Sequence, residues 1–224
     1  MDSPVATNIP VVLITGFGPF RSILNNPSWQ VAKALKNYRE WNCPIHIILE
    51  EVDVTYDHVS TKVPEYWLKY NPTLVIHIGV AAGTAGIQIE RCAFNDDYCH
   101  VDNNGTLPED CRCVKTDAPE MLTTLLPIDI VCAKVERRTN LPVKVSVDAG
   151  RFLCEFIYYQ SLFIDPKRTV FIHIPELDET FTIENLAETI QLIIYELLRC
   201  VDPLPCLNRD GNYLINTNVP KTTL

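Results

Sequence analysis

The sequence predicts an α/β fold: a single-domain α/β/α sandwich around a central, largely parallel twisted sheet. Three observations carry that expectation. Short continuous apolar runs closed by Gly or Pro recur, as in Val75-Ile76-His77-Ile78-Gly79-Val80 and Val170-Phe171-Ile172-His173-Ile174-Pro175, and strands buried on both faces read this way. Strand-like and helix-like stretches alternate, which is the order of a sheet covered by helices on both sides. Finally, 224 residues at 47% hydrophobic suit one domain with a substantial core, and no repeat, linker or low-complexity segment divides the chain.

In chain order the reading is strand 10–16, helix 27–39, strand 45–52 and helix 56–69. Strand 74–80 is the apolar run closed at its end by Gly79. A Gly/Ala-rich loop, Ala81-Ala82-Gly83-Thr84-Ala85-Gly86, leads to a strand near 86–93, and an irregular stretch follows. Helix 128–139 precedes strand 143–147, where Val143-Lys144-Val145-Ser146-Val147 alternates as a strand should. Helix 154–163 is apolar nearly throughout and is expected to be buried. Strand 169–174 is stopped by Pro175, and helix 183–201 completes a core over about 9–202. Residues 203–224, rich in Asn, Pro and Thr, read as a surface or disordered tail of this single domain, 1–224.

Cys154 is the residue that points to chemistry. It ends Ser146-Val147-Asp148-Ala149-Gly150-Arg151-Phe152-Leu153-Cys154, where a β-rich run turns into a helix. A thiol in a helix's first turn faces unpaired N–H groups and the positive end of the macrodipole, and both favour thiolate, the form that attacks carbonyls. Alone, such a residue is as readily a buried core cysteine. Glu90 and His173, each at or near a strand end, change the balance. A cysteine nucleophile needs a base to take its proton and return it to the leaving amine, and that base needs a carboxylate or amide to fix its tautomer. Each partner also has an ordinary explanation: a satisfied core histidine for His173, a surface ion pair with Arg91 for Glu90. Sequence alone does not bring the three together.

Five ordered islands make the chain resemble pyroglutamyl-peptidase I (pyrrolidone-carboxylate peptidase), the cysteine peptidases that remove N-terminal 5-oxoproline. Val12-Leu13-Ile14-Thr15-Gly16-Phe17-Gly18-Pro19-Phe20 is similar to the family's opening, and Asn26-Pro27-Ser28-Trp29 to the motif after it. The others are Glu90-Arg91-Cys92-Ala93-Phe94-Asn95, the segment ending at Cys154, and Phe171-Ile172-His173-Ile174-Pro175, together spanning roughly residues 10–200. The resemblance implies a phosphorylase/hydrolase-like sandwich, with Cys154 as nucleophile, His173 as general base and acid, and Glu90 orienting His173. It implies that Phe17 and Phe20 line a pocket for the flat pyrrolidone ring, where core packing is the plainer explanation. Asn26 is expected to hold the 16–20 loop in shape. Backbone N–H groups at the start of the Cys154 helix are the natural oxyanion donors, with Arg91 a second candidate. No cofactor and no metal are implied.

Two features depart from the family pattern. Glu155 stands where relatives tend to carry Asp, Asn or Ser; a carboxylate there suits the helix dipole but opposes the thiolate if it turns inward. The 81–86 loop lacks the Gly-Gly-Arg of bacterial relatives and looks like the animal form. Neither removes a catalytic residue, so an active enzyme is expected. Small peptides with N-terminal pyroglutamate are the expected partners, and the animal-like features point to a monomer.

A formal charge of −9 opposes nucleic acid and anionic membrane as partners. No run approaches the ~18 apolar residues of a membrane span, and Met1-Asp2-Ser3-Pro4-Val5-Ala6-Thr7-Asn8 has no signal-peptide character. Nine cysteines then read as free thiols in a reducing cytoplasm. Asn104-Gly105-Thr106 matches a glycosylation sequon but reads as a turn.

Cys99, His100, Cys111 and Cys113 offer four zinc-type ligands close in sequence. Their spacing fits no common zinc module, since adjacent Cys99 and His100 point different ways unless the backbone bends sharply. A Cys99–Cys113 disulfide is feasible but disfavoured by compartment, so free thiols are expected. Gly16-Phe17-Gly18 lacks the third glycine of a dinucleotide loop, and Pro19 breaks the turn. An amidotransferase-like hydrolase needs glycines flanking its nucleophile at two-residue spacing, and Phe152-Leu153-Cys154-Glu155-Phe156 has none. A binding relative without turnover is separated from these only by assay.

Overall fold

The computed structural model describes residues 9–36, 44–114 and 117–201. The expectations for the first eight residues, for the end of the 27–39 helix and for the 203–224 tail lie outside the described residues.

Strand β1 (Val11–Phe17) leads through helix α1 (Pro27–Lys36) to β2 (His46–Val52), and α2 (Tyr56–Tyr70) carries the chain to β3 (Leu74–Val80). Then come β4 (Ile87–Glu90), β5 (Cys92–Phe94), β6 (Met121–Thr123) and α3 (Ile128–Glu136). The chain continues with β7 (Val143–Ser146), α4 (Leu153–Ile164), β8 (Thr169–Ile174) and α5 (Ile183–Val201). Six strands form one sheet in the order β2-β1-β3-β8-β4-β7, parallel throughout except where β4 meets β8. Loop length explains the exception. Residues 81–86 separate β3 from β4, too few for the crossover of about a dozen residues that a parallel return needs.

Helices cover both faces, as the alternation predicts. Val31, Leu35, Val131, Ile190 and Ile194 bring α1, α3 and α5 onto one face, and Val59, Val63, Phe156 and Ile157 bring α2 and α4 onto the other. Strand alternation sorts side chains between these layers. Val170, Ile172 and Ile174 enter the first core and Phe171 the second, so His173 faces α4. No helix among the described residues is long and apolar enough to cross a membrane.

Two sequence expectations need correction here. The single strand near 86–93 is two strands in different sheets. Arg91 N–H donates to Ser146 C=O (2.8 Å) as the last rung beside β7, and β5 then leaves to pair antiparallel with β6. That partner falls in the stretch read as irregular, because three residues are too few to display an alternation. Helix α3 also stops at Glu136, short of 139.

A buried polar chain fixes α4 and α2 to the sheet. Thr15 Oγ1 bonds His77 Nδ1 at 2.7 Å, His77 Nε2 bonds Ser161 Oγ at 2.7 Å, and the Trp67 indole N–H donates to Ser161 Oγ at 3.1 Å. Burial pushes His77 down to about 3, so this imidazole is neutral. The chain leaves β1 for β2 on one side and comes back to β3 on the other, which opens a crevice beyond the carboxyl ends of β1 and β3. The loops following these two strands meet there.

Candidate active site

Three elements deliver Cys154, His173 and Glu90 to one end of that crevice. Strand β4 runs against β8 with Gln88 opposite His173 and Glu90 opposite Phe171. Glu90 and His173 are therefore diagonal neighbours on the face beneath α4. Glu90 Oε1 meets His173 Nδ1 at 2.8 Å, with the carboxylate wholly buried and the imidazole nearly so. Tyr158 O–H, from α4, donates to the Glu90 backbone carbonyl at 2.8 Å and holds that strand end in place.

The His173 ring also hydrogen-bonds the Cys154 side chain. Burial works against a charged ring, but the hydrogen bonds to Cys154 and Glu90 and their negative charge outweigh it and push His173 up to about 9. A proton is thus stored beside the thiol at neutral pH. Gly79, opposite His173 on β3, makes the approach possible: a Cβ there would lie 2.8 Å from Cys154 Sγ and 2.7 Å from Phe171 Cζ.

Helix α4 begins without a side-chain cap, Phe152 being its N-cap residue, so its first N–H groups are free of side-chain partners. Gly150 turns the preceding loop with φ 75°, a conformation that suits glycine. Glu155 turns away from the thiol. Its Oε2 accepts from Arg151 Nη1 at 2.7 Å and its Oε1 from Phe94 N–H at 3.2 Å. Burial raises its pKa, with Arg151 opposing that shift.

Two cavities flank Cys154. One, of about 460 Å³, is lined by Phe17, Phe20, Asn26, Val54, Phe152 and Leu177 among others. The second, of about 450 Å³, is lined by Phe20, Arg21, Gln88, His100, Arg151 and His173. Phe20, Val80, Phe152 and Cys154 belong to both, so a wall of aromatic and aliphatic groups divides them at the thiol. The Phe20 and Phe152 rings lie 5.6 Å apart, tilted by 49°. The first cavity can take a flat uncharged ring, and the second contains the imidazole.

Of the sequence candidates, Glu90, Cys154 and His173 come together, and Phe17 and Phe20 lie in the adjoining cavity wall. Asn26 acts on the loop: its Nδ2 donates to Gly18 C=O (3.0 Å), and its Oδ1 accepts from Ser28 N–H (3.1 Å) at the start of α1. Ser28 Oγ in turn accepts from Phe17 N–H at 2.9 Å, tying the loop to the helix. Arg91 is a correction. Alternation sends it to the opposite face of the sheet from Cys154, where it pairs with Asp129 on α3, so it is no oxyanion donor. Phe152 and Leu177 are wall residues that the sequence reading did not single out. For Phe152 the available signal was its position two residues before the nucleophile.

Cys99, Cys111 and Cys113 are free thiols, and no three His, Cys, Asp or Glu side chains gather as a metal ion would require among the described residues. Cys113 Sγ points at the Phe156 carbonyl (3.3 Å), while Cys99 is exposed and hydrogen-bonded to Cys111.

A family model described as pyroglutamyl peptidase matches residues 11–198. The chain is 34% identical to pyroglutamyl-peptidase 1 of Homo sapiens over 188 residues, covering 84% of this chain and 89% of the human protein. It is 36% identical to a pyrrolidone-carboxylate peptidase of Bacillus cytotoxicus over 174 residues, 75% of this chain and 79% of that one. The solved pyroglutamyl peptidase I of Bacillus amyloliquefaciens superposes with a TM-score of 0.74 at 26% identity, covering 86% of this chain and 97% of that one. The pyrrolidone carboxyl peptidase of Thermococcus litoralis gives 0.74 at 25% identity, covering 85% and 94%.

Proposed function

The chain belongs to the pyroglutamyl peptidase family, and from that premise we propose how its residues divide the chemistry. The protein is a cysteine peptidase that hydrolyses the amide bond following an N-terminal pyroglutamyl residue. One observation carries the division of roles. The hydrogen-bonded series Glu90–His173–Cys154 ends at the wall between an apolar, aromatic cavity and a more polar one.

Cys154 Sγ, as thiolate, attacks the pyroglutamyl carbonyl carbon. The oxyanion that forms faces the N–H groups at the start of α4, which serve as its donors. His173 then gives its proton to the leaving amine as the C–N bond breaks, leaving a thioester and a neutral imidazole. That imidazole takes a proton from water while the water oxygen attacks the thioester. Collapse releases pyroglutamic acid and restores the thiolate and the charged His173. Glu90 keeps Nδ1–H engaged, so Nε2 is the nitrogen that moves the proton.

Phe17, Phe20 and Phe152 suit the pyrrolidone ring, which offers flat faces and no charge. These rings give an N-terminal ammonium no counter-charge, and packing it against them carries the desolvation of a buried charge; Glu176 is the one acidic residue among the described residues of that cavity's lining. The substrates are small peptides bearing pyroglutamate at the N-terminus. The described residues read as a single peptidase domain acting as a monomer. Free thiols around a thiol nucleophile favour a reducing cytoplasm as its setting. Incubation with pyroglutamyl-aminomethylcoumarin tests the function: dye release by the wild type and none by Cys154→Ala supports it, and silence from the wild type overturns it.

A further inference from the structure

Resting on the function above, the two cavities divide the substrate between them. The acyl ring occupies the aromatic cavity, so the leaving peptide lies in the second one, where His173 waits to protonate its amine. The charges of that second cavity are unevenly spent. Arg151 is held by Glu155 at 2.7 Å and reaches Asp148 at 3.4 Å, so Asp148, the acidic group on this wall, already has its counter-ion. His100 packs edge-on against the Phe152 ring at 6.4 Å. Arg21 has no ion-pair partner among the described residues; its guanidinium stacks over the Phe20 ring, 4.8 Å from the centroid.

The backbone around Arg21 is as telling as its charge. Phe20 and Ile23 exchange both backbone hydrogen bonds (3.0 and 2.9 Å), which closes a two-residue turn with Arg21 at its first corner. Arg21 has φ 51°, the left-handed region where glycine is the ordinary occupant of such a corner. A long cationic side chain therefore sits at a strained position beside the catalytic groups, laid on the ring that separates the two cavities.

We propose that Arg21 is a specificity-determining residue that reads a carboxylate on the leaving group. The favoured substrates are pyroglutamyl dipeptides, in which the residue after the scissile bond carries a free α-carboxylate. A planar guanidinium pairs with a carboxylate through two N–H donors, and stacking on Phe20 pre-orients it.

The test compares kcat/KM for pyroglutamyl-alanine with that for pyroglutamyl-alanine amide, within each enzyme. The wild type should favour the free acid by about threefold to tenfold, as expected for a partly exposed charge pair. The ratio should fall toward one at ~1 M KCl, where the screening length is short. Arg21→Gly, which relieves the positive-φ strain and so keeps the fold, should bring the ratio to about one, and Arg21→Lys should retain part of it. A wild-type ratio near one, or a ratio unchanged in Arg21→Gly, overturns the inference while leaving the peptidase intact. No turnover of either peptide, or of the coumarin substrate, overturns the function itself and this inference with it.

Discussion

His77 and His173 stand on neighbouring parallel strands, face the same helix, and are driven to opposite protonation states. In the β3·β8 register His77 is opposite Phe171, two residues before His173. Burial disfavours charge on both rings. His77 meets two neutral hydroxyls and is held down at about 3, whereas His173 meets a thiol and a carboxylate and is held up at about 9. The presence or absence of negative charge beside the ring decides between a structural imidazole and a catalytic one.

Activity should therefore fall as pH rises through about 9, where His173 loses the proton owed to the leaving amine. Glu90→Gln removes one source of that upward shift and should move the alkaline limb of kcat/KM to lower pH, together with a large loss of rate. Removing the imidazole in His173→Ala should cost at least ~10²–10⁴-fold in kcat. A Glu90→Gln enzyme with wild-type rate and an unmoved limb would leave the carboxylate a purely structural part.

Acid stability should carry the signature of His77. As pH falls below about 6.5 the unfolded chain takes up a proton at this residue while the folded protein refuses it until about 3, so folding loses free energy through that window. His77→Gln, which has nothing to titrate, should show a shallower decline of Tm between pH 6.5 and 4 than the wild type. Parallel declines in the two proteins would exclude His77 as the source.

Cys154→Ser and Cys154→Ala should abolish turnover and fold normally, because the change is small and sits at an uncapped helix start. Iodoacetamide should inactivate the wild type, and peptide mapping should find Cys154 carboxamidomethylated. Inactive enzyme with Cys154 unmodified would move the nucleophile elsewhere.

Gly79→Ala should be disproportionately harmful for one methyl group. Its Cβ would lie 2.8 Å from Cys154 Sγ and 2.7 Å from the Phe171 ring, so the thiol or the ring must give way. We expect about 1–3 kcal/mol of destabilisation and a loss of kcat of ~10²-fold from displacement of the nucleophile. Stability is read by denaturant melts and displacement by the rate of thiol alkylation. Wild-type kinetics in this variant would mean the thiol does not need that space.

Phe17 and Phe20 should separate by phenotype. Phe17 is 4% exposed and packed in the core beneath α4, so Phe17→Ala should cost about 3–5 kcal/mol of stability. Phe20 is half-buried on the cavity wall, and Phe20→Ala should mainly raise KM for pyroglutamyl substrates, lowering kcat as well if ring placement sets the angle of attack. Unchanged kinetics in both would remove the aromatic wall from substrate recognition.

Much of this was legible in the chain because local chemistry and fold agree. Cys154 stands at a strand-to-helix junction, His173 two residues before a strand-stopping proline, and the apolar runs mark β1, β3 and β8 within a residue or two. What stayed hidden depends on distant partners. Arg91 looked available because Asp129, 38 residues on, could not be seen to claim it. The break between β4 and β5 depends on Ser146 accepting from Arg91 N–H, and the buried Glu155 is held away from the thiol by Arg151 and Phe94. Gly79 read simply as the end of a strand, since the sulfur that needs its missing side chain arrives from residue 154.

Ser161 lies seven residues beyond Cys154 on α4, two turns and about 10 Å along the axis. An almost wholly apolar helix can slide or roll on an apolar sheet at little expense, because grease does not define a position. The hydroxyl bridging His77 and Trp67 does. It acts as an indexing pin: α4 has one axial setting in which both of its partners are met. The sulfur is thereby gauged against the sheet at two stations, Gly79 beside it and Ser161 two turns away. The tolerance on the nucleophile is set as much by the far station as by the near one.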